Sequence, residues 1–279
     1  MRSLKLTILV EDGLPAVDGL ESEHGLAVLV AADGKLGLFD TGQSGAVCRN
    51  AARLGIDLSG LDWIALSHGH YDHTGGLRDV LKLASNATVY LHPAALEEKL
   101  VLEDGKLRDA GIGLSRGDIE TDAAEVMLRE DPVQISSNVW LTGTVPRPSG
   151  FEQVSERFVT RDSDGELIQD IFPDDQSMIL HTHEGLVVLC GCAHAGIVNI
   201  LRRVNQLFPN RHIRGVVGGL HLRSASEERI EQTTEELQRH DVQELWPNHC
   251  TGKNAIAYFR DTFFQRVMTA SAGTQIVLH

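Results

Sequence analysis

The sequence predicts an α/β fold, and three observations carry that prediction. Short apolar runs such as Leu4–Val10, Leu26–Ala31 and Leu186–Leu189 read as strands. They are interspersed with segments of helical spacing, including Ala46–Leu54, Ile197–Leu207 and Glu227–Arg239. Several of the apolar runs also end in polar, glycine-rich corners that carry histidine. The densest corner is Ser67-His68-Gly69-His70-Tyr71-Asp72-His73-Thr74-Gly75-Gly76-Leu77, which follows the apolar run Trp63–Leu66 and precedes a helix expected at Leu77–Leu83.

Composition narrows the class of protein. The 279 residues are 42% hydrophobic and 23% charged, ordinary for a globular chain long enough to bury a substantial core. A formal net charge of −14 argues against a nucleic-acid partner, because phosphate backbones are bound by clustered Lys and Arg. No run of 18 apolar residues suggests a membrane span. The segment Met1–Leu6 lacks the apolar core of a signal peptide, and four cysteines do not suggest a disulfide framework, so a reducing cytoplasm is the expected location. The expected partner is a small-molecule substrate; the oligomeric state is not legible.

Taken in order, Leu4–Val10 alternates as a first strand, and Leu26–Ala31 pairs as a hairpin with Leu36–Phe39 across Asp33-Gly34. Asp40-Thr41-Gly42 ends the second strand with a carboxylate facing whatever lies at that strand's tip. Ala46–Leu54 is a helix stopped by Gly55, and Thr88–Leu91 is a strand ending in a structural turn at His92-Pro93. About 96–127 mixes charge and glycine without sustained period, and reads as a partly helical surface insertion suited to a lid. Val133–Ile135 and Val139–Leu141 form a hairpin. The loop Thr142–Arg147, continuing to Phe151-Glu152, places Arg147 and Glu152 together as expected substrate contacts. Ser177–His181 and Leu186–Leu189 are two buried strands, and the second His-x-His, His181 and His183, is expected at the surface far from the chemistry.

Chemistry is carried by the histidines. His68 and His70 lie two apart on an extended segment and project to one side, while Asp72 and His73 follow once the chain has turned. Neutral imidazoles and carboxylates are ligands for zinc and its first-row neighbours. Later corners add His194 (Cys190–Gly196), His221 (Gly218–Leu222) and His249 (Pro247–Gly252). His194 and His249 complete an expected ligand set of His68, His70, Asp72, His73, His194 and His249. His221 is a ligand, a support to one, or an acid group. Cys192 and Cys250 adjoin these histidines, and a thiolate ligand is the alternative.

The His-x-His-x-Asp-His pattern resembles the signature of the metallo-β-lactamase superfamily. Glu23-His24-Gly25, Phe39–Gly42, Asp174-Asp175-Gln176 and the three corners are similar to one branch of it, named for an archaeal dihydropterin–ribofuranosylaminobenzene phosphate synthase. The resemblance covers essentially the whole chain. It implies one domain, 1–279, built as a four-layer αβ/βα sandwich: two mixed sheets with helices on both outer faces and the site along one edge. It also implies that Asp40 and Cys192 support the metal ligands, that His24 and Asp175 face substrate, and that Asp72 and His221 take part in catalysis. Two divalent ions are expected, zinc first, with manganese, iron or magnesium as alternatives. Two ions sharing a water lower its pKa from about 15.7 towards 7. The expected activity is hydrolysis of a small phosphoester, phosphodiester, ester or lactone. A pterin–arylamine transferase is the second reading and a non-catalytic ligand sensor a remote one. A redox di-iron site is disfavoured, because oxygen-reducing members carry a Glu where this chain has His70.

Overall fold

The computed structural model describes residues 4–279. Two mixed sheets stack face to face. One has seven strands in the spatial order Gln275–Leu278, Leu4–Val10, Ala27–Ala32, Lys35–Phe39, Trp63–Ala65, Thr88–Leu91 and Glu125–Leu128. Its first three pairings are antiparallel and its last three parallel. The other has six, ordered Glu244–Pro247, Ile213–Gly218, Gly185–Cys190, Met178–Thr182, Val139–Leu141 and Val133–Ser136, with two parallel pairings followed by three antiparallel ones.

Alternation along the strands explains the layering. In Gly185–Cys190, Val187 and Leu189 point between the sheets, where they meet Phe39, Ala65 and Met178. Leu186, Val188 and Cys190 point outward to the helices Ile197–Leu207 and Lys253–Phe263. A strand covered on both faces has no solvent side, hence its unbroken apolar run. The opposite outer face packs against Ala46–Arg53 and Leu77–Leu83. The result is the helix–sheet–sheet–helix order of the αβ/βα sandwich. No helix among the described residues is long and apolar enough to cross a membrane.

A third sheet stands apart from these layers. Its four antiparallel strands are ordered Leu167–Gln169, Phe158–Arg161, Leu100–Glu103 and Lys106–Asp109. The expectation of one surface insertion at about 96–127 is therefore corrected. Only the hairpin Leu100–Asp109 leaves the main body, and it is completed by strands from 158–169. The helix Arg116–Asp122 buries Ile119 in the first sheet's outer cluster, and Glu125–Leu128 is that sheet's edge strand.

Parallel pairing sets where the site lies. Lys35–Phe39 and Trp63–Ala65 run side by side, as do Gly185–Cys190, Ile213–Gly218 and Glu244–Pro247. Their carboxyl ends bring Asp40, His68, Cys192, His221 and His249 to one edge of the sandwich. His181 and His183 lie at or beyond the far end of Met178–Thr182, away from Asp175; His183 is exposed as expected, whereas His181 is half-buried, its ring 4.5 Å from that of Phe208.

Candidate metal centre

The turn after Trp63–Ala65 is held from behind. Asp174 Oδ2 accepts the Gly69 N–H at 2.8 Å, fixing the backbone between His68 and His70. A Cβ at Gly69 would lie 2.2 Å from the Ala95 carbonyl oxygen, so this position requires glycine. The short helix Tyr71–Thr74 then carries Asp72 and His73 inward. The rings of His68 and His73 lie 4.4 Å apart by centroid, those of His68 and His194 4.8 Å, and those of His70 and His194 4.9 Å.

Hydrogen bonds decide which imidazole nitrogen faces the centre. Asp40 Oδ2 accepts from His73 Nδ1 at 2.7 Å, and Asp12 Oδ1 accepts from His249 Nδ1 at 2.6 Å. Ser67 Oγ donates to Asp40 Oδ2 at 2.7 Å and is 2.9 Å from His68 Nδ1, which leaves it accepting from that ring. In all three, Nδ1 is protonated and Nε2 is the nitrogen that faces the centre. A carboxylate or hydroxyl behind the ring in this way fixes the tautomer of a metal-ligating histidine.

The buried ring nitrogens provide the test of fit. His68 Nε2 and His194 Nε2 are buried and have no hydrogen-bond partner, a costly state that a cation would relieve. Asp72 Oδ2 lies 3.5 Å from both His73 Nε2 and His249 Nε2, which are 3.2 Å from each other. Ligands about 2.0–2.1 Å from a tetrahedral ion are roughly 3.3 Å from one another, so these separations suit one ion. Of four sets of ligand atoms that lie within 4.8 Å of one another, two adjoin at the centre: Asp72, His73, Cys192 and His249, and alongside it His68, Cys192 and His194. His70 flanks the second set. The donors fit divalent cations.

Electrostatics agree with this geometry. Burial and the neighbouring imidazoles hold His68 and His194 well below the usual histidine range, and burial lowers His70 to about 3, so these rings are neutral. The acid-bearing half differs: against burial, Asp72 and Asp40 raise His73 to about 9, so its Nε2 also carries a proton that a cation would displace, and the charged ring in turn helps to lower Asp72 to about 2 against burial. Backbone strain also gathers here. Asp40, Ala193, His221 and His249 have φ of 58°, 55°, 49° and 47°. A left-handed non-glycine residue costs on the order of 1–3 kcal/mol, and such residues cluster at sites where side chains are aimed.

Above the donors lies a cavity of about 170 Å³. His24, His70, Asp72, Cys192, His194, His221 and His249 form its floor, and Tyr71, Val101, Arg108, Arg157, Phe158 and Arg223 are among its walls. Arg108 lies 5.8 Å from the Tyr71 ring centroid and Arg157 4.7 Å from that of Phe158. His24 lines the cavity, its Nε2 3.3 Å from Asp72 Oδ2. His221 presents its ring 4.3 Å from that of His194, and its buried Nδ1 has no partner.

Three expected substrate contacts are placed elsewhere. Glu152 accepts the Val198 and Asn199 N–H groups, both at 3.0 Å, and so caps the helix Ile197–Leu207. Arg147 donates to the carbonyls of His194 and Glu152 at 2.6 and 3.0 Å. Asp175, pushed up to about 7 by burial, accepts from Ala195 N at 2.9 Å. None of the three lines the cavity; together they brace the corner that carries His194. Cys192, expected behind the ligands, instead has its sulfur among them.

Sequence reasoning missed several residues. Asp12 joins His249, His24 and Arg223 at 2.6–3.0 Å. It sits at a strand end one residue before Gly13, a weaker form of the signal that marked Asp40. Lys99 is 2% exposed and lies 2.8 Å from Asp174 and 3.1 Å from Asp170. Local sequence does not reveal that burial.

Comparison with known proteins agrees with the geometry. Residues 22–198 match the model of the metallo-beta-lactamase superfamily. A Methanocaldococcus jannaschii protein named 7,8-dihydropterin-6-methyl-4-(beta-D-ribofuranosyl)-aminobenzene-5'-phosphate synthase is 27% identical over 97% of this chain and 95% of its own length. An uncharacterised protein of the same organism is 30% identical over 84% and 86%. The crystal structure of Tm1679, described as a metal-dependent hydrolase of the beta-lactamase superfamily, is 34% identical with a TM-score of 0.84, covering 98% of each chain. The matched family, the sandwich and the ligand-bearing edge lead to one conclusion: the chain belongs to the metallo-beta-lactamase superfamily.

Proposed function

We propose that this protein is a metal-dependent hydrolase acting on a small phosphoester or phosphodiester, with an ester or lactone as the less favoured substrate. The observation that carries the reading is the pair of adjoining ligand sets on the floor of a cavity whose wall carries Arg108, Arg157 and Arg223. Two divalent cations held there would supply Lewis acidity, activating water and polarising a phosphoryl or carbonyl oxygen.

The remaining chemistry belongs to the chain. Asp72, linked to His24, is positioned to orient the attacking water and accept its proton. His221, its ring 4.3 Å from that of His194 and its Nδ1 without a partner, can protonate the departing oxygen. Arg157 favours an anionic substrate over a neutral lactone, while Arg108 and Arg223 are paired with Glu103 at 3.6 Å and Asp12 at 2.6 Å. Tyr71 and Phe158 offer a flat apolar surface beside that charge, and the strands Leu100–Glu103 and Phe158–Arg161 help wall the cavity from water.

The synthase name of the archaeal relative favours a second reading, in which an arylamine replaces water as nucleophile. Isotopically labelled water separates the two. Turnover of a single phosphoester, with label entering one product, supports hydrolysis. Strict dependence on an amine, with no label in either product, would overturn the hydrolase reading and leave the transferase.

A further inference from the structure

The sulfur of Cys192 occupies a position no other donor shares. It lies 3.2 Å from His73 Nε2 and 3.3 Å from His249 Nε2. It belongs to the set of Asp72, His73 and His249 and, within 4.8 Å, to the set of His68 and His194, and it is the one residue common to both. Sulfur about 2.3 Å and nitrogen about 2.0 Å from a tetrahedral ion are roughly 3.5 Å apart, close to the separations observed. A thiolate carries several lone pairs and can bind two cations at once, which one imidazole nitrogen cannot.

The local chain is built to put that sulfur there. Cys192 and His194 flank Ala193, whose φ of 55° turns both side chains to the centre. The preceding Gly191 lies so close to Ser67 that a Cβ would sit 2.0 Å from its Oγ. The other nearby thiol is placed differently. Cys250 Sγ accepts the His221 N–H at 3.3 Å and lies 3.6 Å from the Cys192 carbonyl oxygen. It also faces Gly219, where a Cβ would be 2.6 Å away. Cys250 can approach a cation only together with Cys192 and His221.

We propose that the Cys192 thiolate is the ligand shared by both cations, making this a sulfur-bridged centre that selects zinc-like ions over magnesium. On binding, the S–H bond is replaced by bonds from sulfur to the cations and the proton is released to solvent. The donor set becomes imidazole, one carboxylate and one soft sulfur, which suits zinc, cobalt or iron and not the oxygen-preferring magnesium. This rests on the metal-dependent reading above for the presence of the ions, but its test needs no turnover.

The experiment is cobalt(II) titration of the full-length, metal-stripped protein, followed by absorption spectroscopy. A sulfur-to-cobalt charge-transfer band in the near ultraviolet should grow through both equivalents. It should vanish in Cys192→Ser and persist in Cys250→Ser, and excess magnesium should not suppress it. Affinity for cobalt should fall about 10–100-fold in Cys192→Ser, and Cys192→Asp, which restores an anionic bridging group, should regain much of it. A band that stops growing after one equivalent would show a sulfur bound to one ion and overturn the bridge. So would a band lost in Cys250→Ser and kept in Cys192→Ser, or no band in the wild type, a measurement independent of whether any variant folds. Bound cobalt with the expected spectra but no hydrolysis of any substrate would leave the bridge standing and overturn only the hydrolase reading.

Discussion

Lys99→Met should destabilise the protein severely while leaving every side chain at the cavity unchanged. The ammonium group is 2% exposed and its two carboxylate partners, Asp170 and Asp174, are 3% and 0% exposed. It bonds them at 3.1 and 2.8 Å and lies 5.4 Å from the Phe172 ring, which stacks on His194 at 3.9 Å. Removing the cation leaves two buried carboxylates without a counter-charge. Breaking a buried pair in this way costs about 3–5 kcal/mol, since burial protects the pair from solvent screening. For a chain of this size that lowers the melting temperature by roughly 6–20 °C. Asp174 also holds Gly69 between two expected ligands, so zinc affinity in a chelator competition should fall as well, about 10–100-fold.

The pH dependence of that variant follows from the same charges. Burial already raises the Asp174 carboxyl, with Lys99 and the Gly69 N–H opposing it. Without Lys99 it rises further. A carboxyl whose folded pKa exceeds its unfolded value destabilises the protein above the folded pKa, and that cost disappears as pH falls through it. Urea unfolding of metal-stripped protein between about pH 8 and pH 5 should therefore show the gap between wild type and Lys99→Met narrowing on acidification. A gap that widens, or a loss below about 1 kcal/mol at neutral pH, would refute the argument that Lys99 neutralises this pair.

Two further predictions separate support from substrate contact. Glu152→Ala should cost about 1–3 kcal/mol in urea unfolding, because the Val198 and Asn199 N–H groups lose their acceptor, while KM stays near the wild-type value. A large rise in KM at unchanged stability would show that Glu152 touches substrate after all. Arg157→Ala should do the reverse: KM for an anionic phosphoester rises about 10–100-fold, with kcat, the unfolding midpoint and KM for a neutral ester little changed. Equal losses for charged and neutral substrates would remove Arg157 from anion recognition.

What the sequence disclosed, and what it hid, divides along chain separation. His68, His70, Asp72 and His73 were readable because six consecutive positions, one turn and a following short helix determine where they point. His194 and His249 were readable because each closes an apolar run beside glycine. Arg147 and Glu152 misled because a cation and a carboxylate on a loop look alike whether they meet a ligand or a helix terminus. Only the approach of Ile197–Leu207 shows that their polar atoms are already engaged. Lys99 misled in the opposite sense: Glu97-Glu98-Lys99 has the pattern of a solvated charge run, and its partners lie 71 and 75 positions further on.

Asp12 and Cys192 carry that reasoning one step further. Asp12 is 237 positions from His249, and no local property of the first strand announces their bond. The bond exists because Leu4–Val10 crosses the sandwich beside the end of Glu244–Pro247, where Glu11 accepts the His249 N–H at 3.2 Å. For Cys192 the decisive feature is register. Cys190 pairs with Gly218, and Gly218 with Pro247, so three parallel strands end level. Each then needs only a few residues to reach the centre: Cys192 and His194, His221, and His249. Hydrophobic pattern identifies such strands, but it does not order them within a sheet or align their ends. A residue's chemistry can therefore be read at a corner, while its rank among the ligands is fixed only when the sheet brings the corners into line.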